Sequence, residues 1–140
     1  MAEDPGGPAR VLVLYERRSS CAATLAEAAA MAAEGASVTV LALARQDRSP
    51  ARCVVYTGAL NDGVREDAAK DLADAREMLG PTAEQVIFMT LVTGREESVE
   101  MWAAGRFDLV LLPARRLHPR GHPAVRAFRR TGGISVRVLR

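Results

Sequence analysis

The chain has 140 residues, 49% of them apolar and 26% charged, with a formal net charge of +2. This suits one soluble domain with its own core, and no apolar run approaches the roughly 20 residues that cross a bilayer. Aromatic residues are only 4%, so Ala, Val, Leu and Met must build the interior.

The opening MAEDPGGPAR is acidic and rich in Gly and Pro, without the basic start and apolar stretch of a secretory signal. Residues 1–9 are expected to form a disordered lead-in, and residues 10–140 a single cytoplasmic domain. Val11–Tyr15 is a short continuous apolar run, the pattern of a strand buried on both faces. Ser19 and Ser20 are N-cap candidates for a helix over the Ala-rich stretch Cys21–Glu34, which Gly35 stops. Ser37–Leu43 reads as a second strand. Beyond Ser49-Pro50 the segment Cys53–Tyr56 reads as a short extra strand, and Asn61 or Asp62 as the cap of a helix ending at Leu79. In that helix Val64, Ala68, Leu72, Ala75 and Leu79 fall on one face, with Arg65, Glu66, Lys70 and Glu77 opposite.

Gln85–Val92 is predicted as the third strand. Thr93 and Glu96 have the spacing of a capping box for a helix that buries Val99, Trp102 and Ala103 and stops at Gly105. Phe107–Leu112 is the fourth strand, ended by Pro113, and a basic loop follows over residues 114–121. Pro123 opens a last helix carrying Val125 and Phe128 inward, and Ile134–Leu139 is the fifth strand. Strands alternating with helices predict an α/β fold, an open five-stranded parallel sheet with helices on both faces, Rossmann-like in its layering. Ligands of such sheets bind beyond the carboxyl ends of the strands where strand order reverses, here after strands one, two and four.

Charge is unevenly placed. Residues 106–140 hold nine Arg against one acid, Asp108. Arg115, Arg116, His118, Arg120 and His122 follow strand four, and Arg17 and Arg18 follow strand one. Such a set suits a phosphate or carboxylate, because guanidinium forks match those groups; a solvated basic loop accounts for it equally simply. His118 and His122 are separated by Pro119 and Gly121, which argue against a helix presenting both rings to one metal, so no metal site is assigned. Nucleic acid is not expected as a partner, since aromatic residues are not interleaved with the arginines of this basic segment and the rest of the chain is acidic. Cys21, next to Arg17 and Arg18, is in an environment that favours a thiolate, although a structural thiol is the simpler role. Cys21 and Cys53 are expected to remain thiols rather than form a disulfide.

Taken together, Arg10–Cys21, Val92-Thr-Gly94, Asp108–Pro113 and Ile134–Leu139 resemble, in order and spacing, the motifs of the universal stress protein family. In the resemblance Glu16 stands at the family's Asp after strand one, Arg18 and Cys21 at its two serines, and Arg115 at its Arg after strand four. The resemblance implies a stress-response role, a Rossmann-like fold and a homodimer formed through the C-terminal strand. ATP-binding members carry glycines whose backbone amides close on the phosphates. Those places fall here on Pro113, Arg116 and Arg126-Ala127, and proline has no amide hydrogen to donate. The expectation is therefore a non-catalytic regulatory domain with a degenerate nucleotide site and no cofactor, acting by dimerisation or on a protein partner. The alternative is a sensor of a nucleotide or small anion, held by Glu16, Arg18, Arg115 and Arg116 in the crevice beyond strands one and four.

Overall fold

A computed structural model describes residues 9–15, 18–45, 54–93, 99–113, 124–131 and 133–139. In chain order the elements are β1 (Arg10–Tyr15), α1 (Arg18–Ala33), β2 (Ser37–Arg45), α2 (Val54–Leu79), β3 (Val86–Thr93), α3 (Val99–Ala103), β4 (Leu109–Pro113), α4 (Ala124–Thr131) and β5 (Ser135–Leu139). A 3-10 segment, Gly80–Gln85, joins α2 to β3. The five strands form one sheet in the order β3-β2-β1-β4-β5, and every neighbouring pair is parallel. The α/β architecture expected from the alternation is therefore present.

Strand β1 lies at the centre, and Val11–Tyr15 are all buried. The two-residue period of a strand divides them between two cores. Val11, Val13 and Tyr15 join Val38, Val40 and Leu111 beneath α1 and α2, where Cys21, Leu25, Ala28, Ala32, Ala75 and Leu79 meet them. Leu12 and Leu14 face the other way, with Leu41, Val110 and Leu112, against Ala103 of α3 and Phe128 of α4. Helices thus cover both faces of the sheet. Small side chains set the spacing on the first face: Ala68 of α2 packs on Ala42 and Ala44 of β2.

Several boundaries differ from the sequence reading. Val54–Tyr56 is not an extra strand but the first turn of α2, which runs for 26 residues. β-branched and aromatic residues favour a strand only where a sheet edge receives them, and tertiary context overrides that weak preference here. Asn61 and Asp62 accordingly lie inside the helix rather than capping it. Ser19 and Ser20 are likewise within α1, whose first residue is Arg18. Thr93 ends β3 in register with Arg45, and the start of the helix that it is expected to cap with Glu96 lies outside the described residues. Phe107 precedes β4, and Pro113 belongs to it, paired in register with Leu139. The β1–β4 register ends at Leu111, so the missing N–H of Pro113 falls beyond the ladder to β1. Of the expected lead-in, residues 1–8 lie outside the described residues, and the Ala9 carbonyl accepts a hydrogen bond from the Ser37 N–H at 2.8 Å.

One polar cluster ties the amino-terminal ends of the strands together. The Asp108 carboxylate accepts hydrogen bonds from the Arg10 backbone N–H at 2.9 Å, from its Nε at 3.3 Å and from its Nη2 at 2.9 Å. Arg10 Nη1 donates to the Gly105 carbonyl at 3.0 Å. Gly105 closes the turn after α3 with φ +75°, a conformation that a side chain disfavours. The Asp108 N–H donates to the Arg10 carbonyl, and the Asp108 carbonyl accepts from Ser135, so one residue links the starts of β1, β4 and β5.

The Arg10 side-chain hydrogen bonds, helped by its backbone N–H, hold the Asp108 carboxyl below the ordinary carboxylate range, against a smaller effect of desolvation. The stabilisation is present above the unfolded carboxyl pKa, near 3.9, and disappears as pH falls through the lower folded-state value. Asp108→Asn should therefore melt below the wild type at pH 7, with the gap closing in strong acid. A gap that stayed constant from neutral pH to pH 2 would contradict this. Gly63, inside α2, has no atom within 4 Å of where a Cβ would stand. Gly63→Ala should raise unfolding stability by about 0.5–1 kcal/mol in urea titrations; a lower midpoint would refute it.

Candidate functional site

Strand order reverses between β1 and β4, which pair directly although α1, β2, α2, β3 and α3 intervene in sequence. Their common direction brings Tyr15 and Pro113, the last residues of each, to the same pole of the sheet. This is the place where an open parallel sheet leaves a crevice, because the connections from the two strands diverge to opposite faces. β1 leads into α1 on the first face, and β4 leads toward α4 on the second.

The four candidate residues follow these two strand ends in the chain. Glu16, Arg115 and Arg116 lie outside the described residues, as do Arg17, His118, Arg120 and His122. Arg18 is the first residue of α1; its backbone is described and its side chain is not. The strand ends that precede them in the chain are buried and apolar: Tyr15 is 3% exposed and Pro113 is fully buried. The Tyr15 hydroxyl reaches toward Met78 Sδ of α2, at 4.0 Å. Pro113 ends β4 at this pole and has no backbone N–H to donate.

Cys21 begins the buried face of α1, which continues through Thr24, Leu25, Ala28 and Ala32. Its thiol is fully buried and lies 3.9 Å from the Leu14 carbonyl oxygen. Thr24, also buried, donates its hydroxyl proton to the Cys21 carbonyl at 2.8 Å, so that polar group is satisfied. The environment is that of a packed core thiol rather than one open to solvent. Cys53 lies outside the described residues. Among the described residues no group of three or more His, Cys, Asp or Glu side chains could hold a metal ion, and no helix is long and apolar enough to cross a membrane.

The sequence reading missed the Arg10–Asp108 cluster, which lies at the pole opposite the crevice and is structural. Its signal was available in outline: Arg10 and Asp108 each stand just before an apolar run, with opposite charge. Only the pairing of β1 with β4 makes those positions neighbours.

No protein-family model matches the sequence, and neither does any curated protein. Solved structures do match in fold. Universal stress protein UspA from Lactobacillus plantarum superposes with a TM-score of 0.77 at 15% identity, covering 97% of this chain and all of that one. A protein of the universal stress protein family from Burkholderia pseudomallei gives 0.67 at 19% identity, over 96% and 98% of the two chains. A universal stress protein solved in complex with cAMP gives 0.50 at 12% identity, over 96% and 98%. Across nearly its whole length this chain has the universal stress protein fold.

The burial of Cys21 sets an expectation for its chemistry. In a Cys53→Ser background, an alkylating reagent should modify native protein orders of magnitude more slowly than urea-unfolded protein. Equal rates would place the thiol at the surface and reopen a redox role.

Proposed function

We propose that the chain is a non-catalytic regulatory domain of the universal stress protein type, which does not seat ATP in a glycine cradle and acts by self-association or on a protein partner in the cytoplasm. The single observation that carries this reading is Pro113. It is buried at the carboxyl end of β4, beside the reversal of strand order, at a place where a phosphate-binding loop needs a backbone amide. A guanidinium at position 116 adds positive charge, but it does not replace the backbone cradle.

Association has a physical basis in β5. That strand is at one edge of the sheet, so its outer backbone groups are open to a second strand among the described residues. A twofold pairing of two β5 strands would join the sheets of two chains. Arg137, in the middle of β5, already has a partner in Glu27 of α1 at 3.1 Å.

A second reading is favoured by a different observation. The pole beyond β1 and β4 retains the topology of a ligand crevice, and a structure of the same fold was solved in complex with cAMP. On that reading Glu16, Arg18, Arg115 and Arg116 serve a nucleotide or small anion that needs fewer backbone donors than ATP.

Thermal unfolding of the full chain with ATP, cAMP and inorganic pyrophosphate separates the two. A ligand present at 100 times its Kd adds about 2.7 kcal/mol, roughly 5–10 °C for a domain of this size. The regulatory reading expects no such shift with ATP, and a mass above that of a monomer by light scattering at micromolar concentration. A large ATP shift would overturn it, and a strictly monomeric mass would remove self-association and leave a protein partner as its mode of action. A shift with cAMP or pyrophosphate alone, abolished by Arg115→Ala, would establish the sensor reading instead.

A further inference from the structure

Strand β5 carries a single charge. Its five residues, Ser135–Leu139, pair only with β4 among the described strands, and Arg137 is the middle one. Side chains alternate along a strand, and the register with Leu111 turns Arg137 to the face covered by α1 and α2, together with Ser135 and Leu139. Val136 and Val138 face the other way and are only partly buried. Arg137 is not left as a bare cation. Its Nη1 donates to Glu27 Oε1 of α1 at 3.1 Å, joining residues 110 positions apart in the chain. The two side chains are 50% and 38% exposed, so each keeps surface that a neighbouring molecule can reach.

We infer that Glu27 and Arg137 are half of a four-membered ion cluster, completed when a second copy of this chain pairs its β5 antiparallel to the first. This rests on the self-association reading above and assigns the residues that govern it. Pairing over the full strand places Ser135 opposite Leu139, Val136 opposite Val138 and Arg137 opposite itself, with the two Arg137 Cα atoms about 4.5–5.5 Å apart across the twofold axis. Like charges directly opposite destabilise a pair of strands, and a central basic residue is one way in which an edge is kept from pairing. Glu27 removes that penalty. Each copy brings a carboxylate with its guanidinium, so the axis gathers two cations and two anions, and each carboxylate can accept from the guanidinium of either copy. The set is self-complementary, as a twofold contact requires. It also selects the occupant. An acidic residue on a foreign strand, the usual match for an edge Arg, finds Arg137 engaged and meets the charge of Glu27. A basic one brings a second cation without a second anion, and a neutral one gains no bond from either group. A copy supplies both charges, already held together.

Charge-altered variants of the full chain test the inference, with mass followed by light scattering over a dilution series. Glu27→Gln should weaken the dimer about tenfold. Glu27→Arg gathers four cations at the axis and Arg137→Glu four anions, so each should be monomeric at concentrations where the wild type is a dimer. Mixed in equal amounts, these two variants should form a heterodimer, because one contributes two cations and the other two anions. The double variant Glu27→Arg/Arg137→Glu, with the charges exchanged, should dimerise again. An ion pair that served only the fold of one chain would be repaired by the exchange but not by mixing, so recovery on mixing is the decisive readout. A wild-type dimer whose affinity both reversals leave unchanged, or variants that stay monomeric when mixed, overturns the inference and leaves self-association standing by another arrangement. A wild type that is monomeric throughout overturns the self-association reading and this inference with it.

Discussion

The fold depends on the double burial of β1. Five consecutive residues, Val11–Tyr15, have no solvent face, so the chain must supply apolar cover on both sides and a strand on each edge. α1 and α2 meet the first demand from one side and α3 and α4 from the other, while β2 and β4 flank the strand. Both neighbours, β2 and β4, follow β1 in sequence, so after building β2 and β3 on one side the chain must cross back over β1 to place β4 on the other. The reversal of strand order is thus a consequence of how β1 is buried, and the reversal in turn defines the crevice pole.

Much of this was legible in the residues. The unbroken apolar runs at 11–15 and 109–112 announced strands buried on both faces, and the 4-4-3-4 spacing from Val64 to Leu79 announced the buried face of α2. Ala68, Ala75 and Leu79 are buried where that spacing put them, and Arg65, Glu66, Lys70 and Glu77 are exposed opposite. What was not legible was the first turn of α2. Val54-Val-Tyr56 has local preferences that favour a strand, and the packing of the long helix on Ala42 and Ala44 is invisible in a local window. The Arg10–Asp108 cluster was missed for a related reason: two residues 98 positions apart become partners through topology rather than spacing.

The candidate site was legible in a narrower sense. Alternation and the order of motifs indicated which strand ends would meet, and Tyr15 and Pro113 do end at one pole. The side chains proposed to act there belong to the connections after those strands, and sequence pattern constrains a connection far less than a buried strand, because no periodic apolar face fixes its path. Proline at position 113 is the exception. Its chemistry is set by its ring whatever the loop does, and for that reason the functional reading rests on it rather than on the arginines.

The two poles of the sheet have different mechanical roles. At one, Arg10 and Asp108 fasten three strands and a left-handed turn by a cluster that involves no residue of the crevice. Substitutions at the other pole therefore leave the fastening intact, and their cost to folding is decoupled from their effect on what is bound. A scaffold divided in this way lets ligand preference drift, or vanish, across descendants while the architecture persists.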